Sequence, residues 1–277
     1  MAAQIDSSLV MIFDTETTGV NVLEDRVVEI GAIYWAEGRR CARPRQIRIN
    51  PGVPIPIGAS QVHNIFDEDI KDCPDFAAIG DRFWEHVEQG IGGHQPVLCG
   101  YNAISYDVRI MNAEFERHGF AHRIDPDQVL DPFIFVAWHH RSWKVRKLEA
   151  VAARYGYDLT DAHSATADAE ATGAILSGMV KAGVMPSAVD AALAEQIRMR
   201  KQLDDEDRRF RYHLYIDRED GETIRVGFGK HIGLPLSEIP PGYLNFCLGK
   251  MDDKLTDETK ALFREQSERG GKPRSLF

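Results

Sequence analysis

The N-terminal part of the chain alternates short apolar runs with polar breaks. Residues 9–13 are all apolar and lead into the polar residues 15–19, and residues 27–35 and 46–50 are further strand-like runs. The second run is rich in β-branched and aromatic side chains, which strands favour. The pattern predicts a buried strand that ends near Phe13, followed by two strands beside it in a meander.

Helical spacing of apolar residues appears after residue 75 and then alternates with two short strands. The predicted helices are 76–87, 108–115, 147–155 and 164–181, and the predicted strands are 97–99 and 129–130. Alternation of this kind predicts an α/β domain with a mixed sheet of five strands flanked by helices.

The composition of the chain changes after Gly183. A helix-prone, increasingly charged segment runs to residue 211, and residues 213–216 and 223–226 flank a turn sequence that predicts a β-hairpin. Two helices, near 241–248 and 256–268, would complete a small α+β module. We therefore expect three parts: a domain at 1–183, a connecting helix at 184–211 and an accessory module at 212–277.

Composition limits the class of protein. Apolar residues make up 43% and charged residues 27% of the 277 positions, as in a globular protein with a sizeable core. No stretch reaches the roughly 20 apolar residues of a membrane span, and residues 1–10 lack the features of a signal peptide. We expect a cytoplasmic protein with no membrane partner, in which four scattered cysteines stay reduced.

The net charge of −10 argues against a protein that coats duplex DNA, because such binding requires many contacts from lysine and arginine to phosphates. It is compatible with a nuclease site that holds a few nucleotides on bound metal ions, since that site needs only local positive charge.

Three groups of polar residues lie where a predicted strand ends or a predicted helix begins. Asp14 and Glu16 are two residues apart, so both project from one face of a strand, and a divalent cation would hold such a carboxylate pair ionised. Asp107 opens a helix, and Asp168 follows His163 by five residues. Each feature alone has an ordinary explanation: a solvated strand end, an acid at a helix N-terminus, or a surface or core histidine.

Taken together and in this order, the three groups resemble the exonuclease motifs of the DEDDh superfamily. The motif segments are residues 14–19, 102–107 and 163–168, and the likeness covers roughly residues 9–181. This superfamily has a ribonuclease H-like fold and includes polymerase proofreading subunits, ribonuclease T, oligoribonuclease and exonuclease X. The chain departs from the common pattern at Asn64, where many relatives carry glycine, and at Tyr101, where histidine is common.

The resemblance implies a ribonuclease H-like fold and a metal-dependent 3′→5′ exonuclease that releases nucleoside 5′-monophosphates. By position, four carboxylates would bind two Mg²⁺ or Mn²⁺ ions: Asp14, Glu16, Asp107 and Asp168. His163 would be the general base, a role that suits a side chain titrating near neutral pH. Substrate contacts are expected from Thr15, Thr17, Gly19, Val20, Val62, His63, Asn102 and Tyr106. Turn formation would also explain Thr17 and Gly19, and filling of the core is the alternative role for Tyr106.

Residues 228–246 resemble the small C-terminal module of exonuclease X-like proteins, which favours DNA as the substrate. Lys230 and His231 lie in a glycine-containing loop of this module. They would either contact a nucleic-acid backbone or stabilise the turn.

Three functional hypotheses remain. The first is hydrolysis of single-stranded DNA or frayed 3′ ends, and the second is RNA trimming similar to that of ribonuclease T. The third is a non-catalytic, nucleic-acid-binding or polymerase-associated subunit, against which the four carboxylates and His163 count. Because relatives dimerise, a homodimer is a further expectation, and DNA repair, proofreading and RNA turnover all fit as roles.

Overall fold

The computed structural model describes residues 2–159 and 164–270. The chain divides into two compact units, Met1–Phe135 with Val145–Ile197 and Val136–Lys144 with Arg198–Phe277. The boundary between the units falls inside two helices. The three-part organisation predicted from the order of elements, 1–183, 184–211 and 212–277, stays a prediction.

One mixed sheet forms the centre of the first unit. Its strands are β1 (Val10–Thr17), β2 (Val27–Ala36), β3 (Arg39–Arg40), β4 (Arg45–Arg48), β5 (Val97–Cys99) and β6 (Val129–Leu130). β1 is central, antiparallel to β2 and parallel to β5, which pairs in parallel with β6. β3 and β4 both pair with β2, one beyond the other, so they share one edge position. The sheet therefore has five strand positions, as predicted.

β1 is longer than predicted. We expected it to end near Phe13, yet it pairs with β2 as far as Thr17, which lies opposite Val27. The long partner strand keeps the backbone of these polar residues in the ladder, and the side chains of Thr15 and Thr17 are buried. The predicted end was wrong because apolar side chains were taken as the limit of the strand.

Helices cover both faces of this sheet. In chain order the helices up to residue 210 are α1 (Ile57–His63), α2 (Asp67–Ile70), α3 (Phe76–Gln89), α4 (Asp107–Arg117), α5 (Pro132–His139), α6 (Leu148–Arg154), α7 (Ala165–Lys181) and α8 (Val189–Phe210). α5 and α8 each belong partly to both units. The sequence did not predict α1, α2 or α5. Residues 132–138 are almost all apolar, so no helical period marks α5.

Neighbouring residues of β1 show which helices lie on which face. The Phe13 ring packs edge-on against Phe83 of α3, with centroids 6.1 Å apart, and Phe83 packs against Phe115 of α4. Ile12, which points the other way, packs at Gly173 of α7. Successive side chains of a strand project from opposite faces, so α3 and α4 lie on one face and α7 on the other.

The second unit has its own hydrophobic core. The hairpin of β7 (Leu214–Ile216) and β8 (Ile224–Val226) and the helices α9 (Pro241–Lys250) and α10 (Asp257–Gly270) confirm the predicted elements. Buried residues of this core include Phe210, Leu214, Val226, Leu244 and Phe263. Among residues 2–159 and 164–270, no helix has the length and apolar composition that crossing a membrane requires.

Candidate active site

The acidic pair of the first motif lies on the face of β1 that α7 covers. Asp14 and Glu16 follow Ile12 at spacings of two, so all three side chains project toward α7. Thr15 projects to the opposite face, where α3 and α4 lie. One strand therefore presents carboxylates to one layer of helices and a hydroxyl to the other.

α7 approaches the sheet closely because Gly31 has no side chain. Gly31 pairs with Asp14 in the β1–β2 register. A Cβ atom at Gly31 would lie 2.4 Å from the carbonyl carbon of Ala165, the first residue of α7. This close approach places the first turn of α7, with Asp168, directly over the acidic pair.

Three carboxylates meet at this point. One oxygen each from Asp14, Glu16 and Asp168 can lie within 4.8 Å of the others. Oxygen donors at this spacing suit a hard divalent cation such as Mg²⁺ or Mn²⁺. Within residues 2–159 and 164–270 this is the group of acidic, histidine or cysteine side chains whose spacing fits a metal ion.

Asp107 lies beside this group, held from the opposite face of β1. It is the first residue of α4. Its Oδ1 accepts the backbone N–H of Thr15 at 2.9 Å and the Thr15 hydroxyl at 2.6 Å. Thr15 was predicted to contact substrate, and the structure gives its hydroxyl to Asp107 instead. A substrate contact from Thr15 stays a prediction.

Burial and mutual repulsion raise the pKa values of these carboxyl groups. Burial, followed by the charges of Asp107 and Asp168, raises the pKa of Asp14 well above its usual value. Burial and then Asp168 raise the pKa of Glu16 to about 8. The pKa of Asp107 rises to about 6 because it is buried, although the bonds from Thr15 oppose the rise. Near neutral pH the group therefore retains protons unless a cation balances its charge, and its donor set fits such a cation.

A further carboxylate, that of Glu29, adds to the negative charge around these acids. It lies opposite Glu16 in the β1–β2 register and is 2% exposed. Its Oε2 accepts a hydrogen bond from the Nε of Arg48 at 3.3 Å, and its charge contributes to the raised pKa of both Glu16 and Asp14. Glu29 was not predicted as a site residue, although a lone charge inside an apolar strand was the available signal.

The turn after β1 is tied to the residue that precedes α4. The Thr17 hydroxyl oxygen lies 2.8 Å from the carbonyl oxygen of Gly19 and 2.5 Å from the Tyr106 hydroxyl oxygen, and the Tyr106 hydroxyl also contacts the Gly19 carbonyl. Tyr106 is partly exposed, and the side chain of Val20 is 89% exposed. Thr17, Gly19 and Tyr106 thus form one connected group beside the acids, and their substrate roles stay predictions.

The two predicted contacts on α1 differ in exposure. Val62 is 54% exposed, whereas His63 is buried and its Nδ1 accepts the N–H of Ile65 at 3.1 Å. Val62 therefore presents the larger surface for a wedge against a terminal base. Both contacts stay predictions.

The two departures from the family pattern have local explanations. Asn64 ends α1 with a φ of 56°, in the left-handed region. Glycine adopts this conformation freely and asparagine tolerates it, so Asn64 can stand where relatives carry glycine. Tyr101 donates its hydroxyl hydrogen to the carbonyl of Arg146 at 2.6 Å.

A buried carboxylate holds the segment that leads to Asp107. Asp131 follows β6 and accepts the backbone N–H groups of Asn102 at 2.8 Å, Ile104 at 3.1 Å and Phe133 at 3.0 Å. Asn102 itself has a φ of 60°. Burial raises the pKa of Asp131 to about 7, and the three N–H donors oppose that rise. Asn102 was predicted to position the loop or contact a nucleotide; its backbone N–H is held by Asp131, and both roles stay predictions.

Gln196 of α8 fixes Asp131 in turn. The backbone N–H of Asp131 donates to Oε1 of Gln196 at 2.7 Å, and Nε2 of Gln196 donates to the carbonyl of Val129 at 2.8 Å. Neither residue stood out in the sequence, because a single amide or acid carries no pattern. The acid directly after a buried strand was the only indication.

His163, the predicted general base, lies outside the described residues. Its motif partner Asp168 lies in the first turn of α7. Of the predicted metal ligands, the structure groups Asp14, Glu16 and Asp168 and sets Asp107 beside them.

Comparison with known families agrees with this geometry. A family model described as exonuclease, that of RNase T, matches residues 11–176. The chain belongs to this exonuclease family. The match confirms the resemblance to the DEDDh exonucleases, which are phosphodiester hydrolases that use divalent metals.

Relatives of the exonuclease domain occur in much larger proteins. The PolC-type DNA polymerase III of Lacticaseibacillus paracasei is 29% identical over 171 residues, which are 62% of this chain and 11% of the polymerase. The corresponding protein of Latilactobacillus sakei is 29% identical over 177 residues, 64% of this chain and 12% of that protein. The match thus spans about an eighth of the length of these curated relatives.

Solved structures confirm the predicted fold. The zinc-bound complex of E. coli exonuclease I with single-stranded DNA has a TM-score of 0.55 and 17% identity, covering 97% of this chain and 68% of that chain. The complex of the same enzyme with a dA16 oligonucleotide has a TM-score of 0.55 and 16% identity, with the same coverage. These likenesses support the ribonuclease H-like architecture.

Proposed function

We propose that the chain is a 3′→5′ exonuclease that acts on single-stranded DNA or frayed 3′ ends and releases nucleoside 5′-monophosphates. The observation that carries the proposal is the convergence of Asp14, Glu16 and Asp168 within 4.8 Å on the fold of an exonuclease family. A non-catalytic descendant of the family would have no need to keep these clustered acids, whose mutual repulsion is costly.

Asp14, Glu16, Asp107 and Asp168 would hold two Mg²⁺ or Mn²⁺ ions. When bound, such ions activate a water molecule and stabilise the negative charge that develops on a scissile phosphate. The raised pKa values of Asp14, Glu16 and Asp107 support this assignment, because compensating positive charge is what allows clustered carboxyl groups to ionise together.

The chain's own side chains would divide the remaining tasks. Thr15 orients Asp107 through the two hydrogen bonds described above. His163 would accept the proton of the attacking water, since imidazole titrates near neutral pH. The group of Thr17, Gly19 and Tyr106 would contact the terminal nucleotide, with the Tyr106 ring available to a base.

DNA is the proposed substrate because the curated relatives named above are DNA polymerases and a structural neighbour is named as a complex with single-stranded DNA. The net charge of −10 favours a single strand engaged locally over a coated duplex. If the chain shortens RNA in preference to DNA, the choice of DNA as the substrate is wrong.

The test is release of nucleoside monophosphates from 3′-labelled and 5′-labelled single-stranded DNA and RNA, with Mg²⁺, Mn²⁺ or EDTA. We expect stepwise, metal-dependent shortening from the 3′ end, faster on DNA. Asp14→Ala and Asp168→Asn should abolish it, while Glu116→Gln, an exposed acid on α4, serves as the matched control.

The base is tested separately. His163→Asn should lower kcat steeply while leaving Mn²⁺ binding, measured by calorimetry, near the wild-type value. Intact oligonucleotides with a folded, metal-bound wild-type protein would reject the catalytic proposal in favour of a binding subunit.

A further inference from the structure

α9 in the second unit buries one side and exposes the other. Leu244 and Cys247 are 0% and 1% exposed in the core of the unit, whereas Phe246 is 57% exposed. At 3.6 residues per turn, Tyr243, Phe246 and Lys250 fall in one stripe along the helix. We call this stripe, together with Lys230, the α9 surface.

Aromatic rings lie beside cationic groups on the α9 surface. The rings of Tyr243 and Phe246 stack with centroids 6.4 Å apart and an interplanar angle of 27°. The Nζ of Lys230 lies 5.2 Å from the centre of the Tyr243 ring, and the exposed Lys250 ends the helix. A ring face available to solvent beside amino groups is the combination that single strands use, with bases stacked on rings and phosphates near cations.

The packing of α9 does not require glycine at either of its two glycine positions. A Cβ atom at Gly242 or at Gly249 would meet no atom within 4 Å, and neither glycine has a positive φ. Glycine inside a helix is less stable than alanine by up to about 1 kcal/mol. Close approach of a partner to the helix backbone is one requirement that bare positions meet.

We propose that the α9 surface binds single-stranded nucleic acid, stacking a base on Phe246 and neutralising phosphates with Lys230 and Lys250. The exposed Phe246 ring together with the amino groups of Lys230 and Lys250 favours a polyanion with planar bases over an apolar protein segment. The inference rests on the proposed function only in taking the nuclease substrate as the strand that binds.

The experiment measures binding of a fluorescein-labelled oligothymidylate to the full-length chain by anisotropy, in EDTA so that no hydrolysis occurs. Phe246→Ala should raise Kd about five- to tenfold, the lower part of the range for loss of one stacked base. Phe246→Trp should restore binding, because it restores a ring face. Ile197→Ala, another exposed apolar residue, is the matched control and should bind as wild type.

Further variants test the two lysines of the α9 surface and the bare glycine positions of α9. Lys230→Ala and Lys250→Ala should each reduce the slope of log Kd against log salt concentration by about 0.7, the value for one phosphate contact on a single strand. Gly249→Ala should fold at least as stably as wild type, by its melting temperature, yet bind more weakly.

Wild-type Kd values and salt slopes in Phe246→Ala, Lys230→Ala and Lys250→Ala would overturn the inference, including the case in which this surface serves a protein partner. Hydrolysis in Mg²⁺ is measured in parallel on the wild type. If the wild type hydrolyses the strand and the variants bind it as tightly as the wild type, only the α9 proposal is rejected and the exonuclease proposal stands. Weakened binding in the variants without any wild-type hydrolysis supports the α9 surface and rejects the exonuclease proposal.

Discussion

Because α7 approaches the sheet closely at Gly31, we expect Gly31→Ala to disturb the metal site. The new Cβ atom would lie 2.4 Å from the carbonyl carbon of Ala165, whereas carbon atoms in contact are about 3.5–4.0 Å apart. Backbone atoms cannot rotate away, so the first turn of α7 must move by about 1 Å or more. Asp168 would move with it, away from Asp14 and Glu16.

The expected magnitudes differ for stability and for catalysis. Overpacking of this kind costs about 1–3 kcal/mol of folding free energy, which leaves a protein that still folds. A displacement of about 1 Å at reacting groups costs about 100-fold in rate. We therefore expect Gly31→Ala to fold, to require more Mn²⁺ for half-maximal activity, and to lose about 100-fold in kcat.

The assay is 3′ shortening of a labelled single-stranded oligonucleotide across a Mn²⁺ titration, with thermal unfolding measured in parallel. Gly173→Ala is the matched control. Gly173 lies further along α7 than Asp168, and its Cβ would lie 2.6 Å from the Trp35 ring of β2, so stability should fall while kcat falls much less. Wild-type kcat in Gly31→Ala, or equal losses in both variants, would show that α7 does not set the position of Asp168 in this way.

Three further predictions concern the residues around the acids. Thr15→Val removes the 2.6 Å bond to Asp107 and should lower kcat at least tenfold, since a bond to a charged group is worth about 1.5–3 kcal/mol; activity equal to wild type would contradict this. Asp131→Asn sets an amide donor against one of the bound backbone N–H groups and should cost about 1–3 kcal/mol in urea unfolding, with a fall in kcat larger than any change in KM; unchanged stability would show that these bonds are dispensable. Glu16→Gln should raise the metal-free stability by roughly 2–4 kcal/mol at pH 8 and little at pH 5, as measured by thermal unfolding. The sign follows because a pKa raised from 4.5 to about 8 means that the wild type loses stability as pH rises through that interval, at about 1.4 kcal/mol per unit; a variant less stable than wild type at pH 8 would refute it.

Much of the fold follows from local pattern. The strands at 97–99 and 129–130 and the helix at 164–181 were predicted within one or two residues, because buried runs and helical periods identify them. α5 was missed because its almost uniformly apolar sequence carries no period. The end of β1 was misplaced because pairing with β2, a long-range interaction, keeps polar residues in the ladder.

The site was predictable only where a motif marks it. Asp14, Glu16, Asp107 and Asp168 were identified by their order and spacing, and the structure places all four together or side by side. The residues that hold them were not identified. Asp131 and Gln196 act through backbone hydrogen bonds to segments 27 to 67 residues away, and no local sequence pattern reports such bonds.

The arrangement of the two helix N-termini shows why protons and metal must compete at this site. Asp107 opens α4 and Asp168 lies in the first turn of α7, so the positive ends of both helix dipoles are directed to the acids. A dipole contributes about 0.3–1 kcal/mol at each such position, and about 2 kcal/mol at most. The rise in the pKa of Glu16 alone, from 4.5 to about 8, corresponds to roughly 5 kcal/mol, more than two dipoles supply. Among the described residues, the two helix dipoles therefore do not supply the positive charge that full ionisation requires. The affinity of the site for a divalent cation should fall as pH falls below 8.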